Sequence, residues 1–488
     1  MHPGRCPVRG RPATVPDDSR APRRDNALET GGWMSGVRFA AALVSALALS
    51  CGPAQAPIPP APSPSADAAT GALRLHASTG MVSGDECLTV FRDLVFFRGQ
   101  STDAGSELWR TDGTVDGTRP VLDLVPGPTG SRPGCGAVVG NRLFFAGDTP
   151  QNGREYYLSD GSTAGTFFLD LAPGAPSSVG GGSGADEKTL AGGLLFFLAD
   201  DGVHGQELWA TDGTRAGTYM VEDLWPGSVG SAPFQLQAVG SRVFFSADDG
   251  VHGRELWTSD GSASGTHLVA DLFPGGVGSN PTLLGAAGDL LYFSACYRRL
   301  GDAEPACGIF RTEGSAGGTV RLLDGGAATR GVAFEGRFFF LRSGTPDAGL
   351  WASDGTPAGT AAVASMAVNW PPPATANGLV FFVGSDEAHG FELWASDGTP
   401  RGTRMVRDIE PGATPSFPYE LTSLGNLVAF EARDARGSEP WLSDGTAAGT
   451  RMAAYVRPAA SPKAFTLAGG RVFFVSANEL WVLTTPPD

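Results

Sequence analysis

Positive charge is in short supply in this chain: 35 Lys and Arg stand against 51 Asp and Glu, a formal net charge of −16. Binding a phosphate backbone needs a Lys/Arg surface, so the deficit excludes nucleic acid as a partner. Long apolar runs are missing as well. The N-terminal run from Phe39 to Leu49 is eleven residues, against the roughly 20 that a membrane-spanning helix requires. The chain offers no GxSxG elbow, HExxH pair, P-loop or spaced carboxylate pair in a context that would use it, so nothing in the sequence requires catalysis. It has no Cys-x-x-Cys beside a His cluster, which argues against zinc. Heptad patterning is scarce. What is there instead is 70 Gly and 37 Pro among 41% apolar residues. Turns punctuate short apolar segments that can still bury a core, the composition of a globular all-β protein.

The N-terminal region gives an address. Residues 34–50, MSGVRFAAALVSALALS, place Arg38 before an apolar run and a small residue before Cys51, and read as a signal peptide. Residues 1–33 read as an upstream extension, with translation expected to begin at Met34. Ala48-Leu49-Ser50-Cys51 resembles a bacterial lipobox, which implies a lipid on Cys51. The alternative is cleavage after Ala54-Gln55-Ala56 and free secretion. Residues 51–70 are rich in Pro and Ala and read as an extended tether, able to hold a domain roughly 50 Å from a membrane at about 3.1 Å per residue. The expected location is therefore the outer membrane or cell surface as a lipoprotein, with the membrane touched only through the lipid anchor, or secretion.

Residues 71–488 repeat. Nine copies of one third-strand motif end on Trp109, Tyr157, Trp209, Trp257, Phe310, Trp351, Trp394, Trp441 and Trp481, at spacings of 48, 52, 48, 53, 41, 43, 47 and 40 residues. Those periods match propeller blades of about 40 to 50 residues. Ahead of each lies an unbroken apolar run, such as Val243-Phe244-Phe245, which suits a strand buried on both faces. After each lies a turn of the form SDGTxxGT, where Asp and Gly supply hairpin chemistry. The ninth copy stops after its third strand, and Ala72-Leu73-Arg74-Leu75-His76 supplies the missing outer strand. The fold expected is a single β-propeller of eight to nine four-stranded blades, closed by an N-terminal strand joining the C-terminal blade. Six of the motif tryptophans, Trp109, Trp209, Trp257, Trp351, Trp394 and Trp441, are expected to pack between blades. With these motifs in place, the chain is similar to the ELWxxDGT-repeat family of bacterial exported proteins over residues 85 to about 483. The resemblance implies an exported repeat protein and brings no catalytic residues.

Four cysteines remain beyond Cys6 and Cys51. Cys296 and Cys307 flank an enlarged hairpin at places that face each other in the neighbouring repeat, and are expected to form a disulfide. Cys87 and Cys135 fall at equivalent positions of adjacent blades, where a second bridge is plausible. His204, His252 and His389 share one hairpin position and read as turn residues rather than ligands. The DLxPG turns, with Asp123, Asp170, Asp223, Asp271 and Asp408, are candidate calcium sites, although each copy offers a single carboxylate and the capping of a turn before Pro-Gly is the favoured reading. No cofactor is otherwise implied. The function expected is that of a monomeric, non-enzymatic binding or scaffold module for a surface glycan or protein ligand. The alternatives are an extracellular glycan hydrolase with its site in the central channel and a purely structural envelope component.

Overall fold

The computed structural model describes residues 71–76, 87–173, 177–180, 187–298, 305–386, 388–456 and 461–484. The expected upstream extension, the signal peptide, Cys51 and the tether lie outside these. Each repeat folds into an antiparallel meander. In blade 4 the strands are Phe234–Val239, Arg242–Asp248, Arg254–Ser259 and His267–Ala270, running from the innermost to the outermost. The second and third strands are apolar on both faces because both faces meet another blade, and Phe245 sits directly opposite Trp257 in the register.

Between the third and outer strands, the SDGTxxGT segment is spent on its own turn. Asp260 Oδ1 accepts from the Ser262 N–H at 2.8 Å and from its hydroxyl at 2.7 Å, and the Gly265 N–H donates to Ser262 Oγ at 3.0 Å. A Cβ on Gly265 would lie 2.1 Å from Asp260 Oδ1, so the second glycine is required by the carboxylate that covers it. The copy at Asp444, Thr446 and Gly449 repeats the geometry.

The link from one blade to the next is held by the glutamate of the ELW motif. Glu255 is buried; its Oε1 accepts from the N–H groups of Phe273 and Ser279, at 3.3 and 2.7 Å, and its Oε2 from the Ser279 hydroxyl at 2.5 Å. Glu107, Glu207 and Glu392 hold Ser131, Ser231 and Ser416 in the same way, and Glu155 holds Ser178. The hairpin between the second and third strands is locked onto the same link. Gly253, at φ +72°, leaves no room for a Cβ, which would meet the backbone N of Gly278 at 2.5 Å.

Nine such blades, at residues 89–120, 137–169, 188–220, 234–270, 282–324, 327–365, 367–407, 419–452 and 463–483 with 72–76, form the molecule, which fixes the count at nine. The core is distributed as nine apolar clusters, one at each junction between neighbouring blades. Trp257 packs on Phe196, Leu208 and Val221 of blade 3. Trp209, Trp351 and Trp441 occupy the corresponding place at their junctions, with Trp394 partly buried at its own. Trp109 packs on Val475, Leu480 and Val482 of blade 9.

That last junction closes the ring. Ala72–His76 is the outer strand of blade 9, with Ala72 opposite Leu483 and Arg74 opposite Trp481, and Arg74 pairs with Glu479 at 2.8 Å. Arg471 of blade 9 donates to the Gly113 carbonyl of blade 1 at 2.8 Å. Seven sheets have the expected four strands; blades 6 and 7 have five, because their inner strand is split in two. In blade 7 the break falls between Ala367–Val368 and Ala374–Ala376, where Pro371, Pro372 and Pro373 have no N–H to offer the ladder. Cys296 and Cys307 face each other across the blade 5 hairpin and are bonded, with Cα atoms 3.8 Å apart; Cys87 and Cys135 join blades 1 and 2 at 5.6 Å. Two disulfides place the domain in an oxidising environment. Among the described residues, no helix is long and apolar enough to cross a membrane.

Candidate functional site

The meander sorts its loops onto two faces. Hairpins between the first and second strands, and the SDGTxxGT turns, lie at one end of the ring. Hairpins between the second and third strands lie at the other, together with the links between blades. On the link face, one position is built to display a side chain. After the serine gripped by the ELW glutamate comes a residue held in the left-handed region before a proline: Arg132 at φ +46°, Ala232 at +44°, Asn280 at +49° and Phe417 at +46°. An L-residue pays about 1 to 2 kcal/mol for that conformation. In blade 8 the residue so held is an aromatic one, and Phe417 is 50% exposed.

Phe417 stacks on Phe391 with ring centroids 6.2 Å apart and lines a cleft of about 420 Å³. Glu410 and Thr414 from the preceding link form one wall, and Arg433 and Arg436 from the blade 8 hairpin form the other. Arg436 makes three hydrogen bonds to Asp434, two from its guanidinium at 2.5 and 3.0 Å and one from its backbone N–H at 2.8 Å; burial works to raise the Asp434 carboxyl, and these bonds hold it below its usual range. Tyr419, half exposed, begins the inner strand just beyond, where a bulge puts Glu420 at φ +56°. In blade 7 the split inner strand leaves Trp370 55% exposed next to the three prolines. Trp370 thus lies in the break of the blade 7 inner strand, and Tyr419 at the start of the blade 8 inner strand. The result is a set of aromatic surfaces on blades 7 and 8 interleaved with both signs of charge. Glu431, opposite Tyr419, has its carboxyl raised, first by burial and further by the nearby Glu420, while Ser461 and Ser438 bonds pull it back.

No family model matches the chain, and no curated protein matches it. Among solved structures, it is similar to puromycin hydrolase at 15% identity and a TM-score of 0.38, over 80% of this chain and 58% of that one. It is also similar to the β-propeller domain of the Trilobed protease from Pyrococcus furiosus, at 11% identity and a TM-score of 0.36, over 66% of this chain and 97% of that domain. Prolyl endopeptidase is similar at 14% identity and 0.38, over 66% and 48%. The chain thus spans less than two thirds of the length of puromycin hydrolase.

The residues singled out in the sequence lie elsewhere. Asp123, Asp170, Asp223, Asp271 and Asp408 stand on five separate links, so no two share a site; Asp408 accepts from the Gly412 N–H at 3.1 Å, inside its own turn. Calcium takes six to eight oxygens, and among the described residues no three His, Cys, Asp or Glu side chains gather as a metal-holding group. His204, His252 and His389 each bond the aspartate three residues earlier, at 2.7, 2.7 and 2.9 Å, which fastens their own hairpins on three different blades. That bond raises the imidazoles of His204 and His252. Sequence reasoning missed the cleft, and it missed the partner of the ELW glutamate. The second omission left a trace: Glu107 and Ser131, Glu207 and Ser231, Glu255 and Ser279, and Glu392 and Ser416 are all 24 residues apart.

Proposed function

We propose that this protein is an exported, non-enzymatic binding module of the ELWxxDGT-repeat kind, and that the blade 8 cleft takes a glycan. The observation that carries this reading is Phe417, an aromatic ring kept exposed at a positive φ over a cleft walled by Arg433, Arg436 and Glu410. Sugar rings present C–H faces that stack on aromatic surfaces, and hydroxyls that accept from guanidinium groups and donate to carboxylates. The ELW glutamates and SDGT aspartates are engaged in holding links and turns, which leaves them no role as acid and base. Lipidation at Cys51 would keep the module at the cell surface, with residues 51–70 as its tether.

The test is a screen of glycans and cell-wall polymers against the purified protein and its Phe417→Gly variant, with product release assayed in the same wells. Phe417→Gly should weaken binding about tenfold, the scale of one lost aromatic contact, while thermal stability holds or rises as the strain is relieved. Equal affinity for both proteins would remove Phe417 from the site. A second reading, an extracellular glycan hydrolase, is favoured by one observation, the raised carboxyl of Glu431 beside Glu420. Product release that disappears in Glu431→Gln would select it.

A further inference from the structure

Four of the most exposed apolar side chains among the described residues are valines of blades 3 and 4: Val203, Val229, Val251 and Val277, exposed by 62, 64, 68 and 69%. They lie on the link face in a repeated arrangement. Val203 and Val251 sit in the hairpin sequence DDGVHG, and Val229 and Val277 directly precede the Gly-Ser of their links. The loops touch in series. A Cβ on Gly205 would meet the Val229 carbonyl carbon at 2.7 Å, one on Gly250 would meet the Trp225 ring at 2.8 Å, and one on Gly253 would meet the Val277 carbonyl carbon at 2.7 Å. Hairpin, link, hairpin and link therefore form one ridge across two blades.

The fold does not ask for these valines. Blade 1 has Asp103 and Thr129, both exposed, at the same positions, and its hairpin and link close by the same contacts, Gly105 against Gly130. The ridge is also predominantly acidic, with His204 and His252 bonded to its own aspartates and Arg298 at one end over the Phe273 ring. Its segments 200–205, 222–229, 248–253 and 271–278 hold seven carboxylates and no lysine or arginine. Apolar side chains spaced between carboxylates complement a partner with the inverse pattern, cationic and apolar, and repel an anionic membrane surface or polyanion.

We infer that the blade 3 and 4 loops form a docking ridge for a basic, apolar-bearing segment of a protein partner, distinct from the glycan cleft of blade 8. The valines supply the area withdrawn from water, and the carboxylates steer and register the cationic side chains. The probe is a labelled peptide of alternating lysine and valine, titrated by fluorescence anisotropy, with a lysine–serine peptide and a glutamate–valine peptide as controls. The lysine–valine peptide should bind, at least about tenfold more tightly than either control, and added salt should weaken it. The fourfold variant Val203→Ser, Val229→Ser, Val251→Ser and Val277→Ser should lose about tenfold in affinity while its melting temperature is kept, because all four side chains are exposed. Phe417→Gly should bind the peptide as the parent does, which separates this ridge from the cleft. Equal binding of the lysine–serine peptide, or an unchanged affinity in the fourfold variant, overturns the inference. So does sedimentation showing a dimer of the parent protein that the fourfold variant dissolves, since the occupant would then be a second copy.

Discussion

Glu255 accepts three hydrogen bonds in the buried link, from the N–H groups of Phe273 and Ser279 and from the Ser279 hydroxyl. Glu255→Ala should therefore cost about 3 kcal/mol, the scale set by leaving several buried donors unsatisfied, and Glu255→Gln clearly less, because it keeps an acceptor at Oε1. Chemical denaturation measures both; equal midpoints for the parent and the alanine variant would mean that water replaces the carboxylate. At this scale the sequence was only half legible. Glu255 stood out as a letter of the motif, but its role depends on Ser279, and a single repeat does not reveal a pairing over that distance. Phe417 was not legible at all. Its left-handed backbone is imposed by the gripped serine before it and the proline after it, and Arg132, Ala232 and Asn280 share that conformation without sharing any chemistry.

The strands were the most readable elements, since a run such as Val243-Phe244-Phe245 can be buried on both faces only between two sheets. The same burial gives a prediction. Trp257→Ala opens a cavity between Phe196, Leu208 and Phe245 and should cost about 3 to 5 kcal/mol, read as a lowered melting temperature. A melting temperature equal to the parent's would show that the junction collapses around the smaller side chain. The inner strands of blades 6 and 7 were not readable as split. Their apolar residues keep the strand pattern, and the break in blade 7 comes from missing N–H groups at Pro371 to Pro373, which an apolarity pattern does not register. The disulfide at Cys296 and Cys307 was readable because the register of one blade carries over to the next: Asp248 faces Arg254, and Cys296 faces Cys307.

For the whole molecule, repetition turns a local ionisation into a bulk property. Burial pushes the Glu107 carboxyl up to about 7 against its Ser131 and Val125 bonds, and burial likewise raises Glu155, Glu207, Glu255 and Glu392. A folded-state value above the unfolded one means that the folded chain holds the extra protons. This stability is complete below the ordinary 4.5 and lost as the pH climbs to about 7. His76, buried against Trp109 in the closing strand, is lowered by burial to about 4 from an ordinary 6.5; its contribution is complete above 6.5 and lost as the pH falls toward 4. Five glutamates against one histidine settle the overlap. The melting temperature should rise from pH 7 to about pH 5 and fall at still lower pH, where the SDGT aspartates, held low by their turns, become protonated. A melting temperature that declines steadily from pH 7 downward would mean that the link glutamates stay ionised in the fold. The closing strand has one more consequence. The Thr484 N–H donates to the Gly71 carbonyl at 3.1 Å, so the strand that completes the ninth blade begins where the strand beside it ends. The blade order is therefore cyclic: a chain joined across Gly71 and Thr484 and reopened at Gly275, where a link turns through open solvent, should fold to the same ring with the same circular dichroism. The numbering of the blades, though not their neighbours, would then be a matter of where the gene is cut.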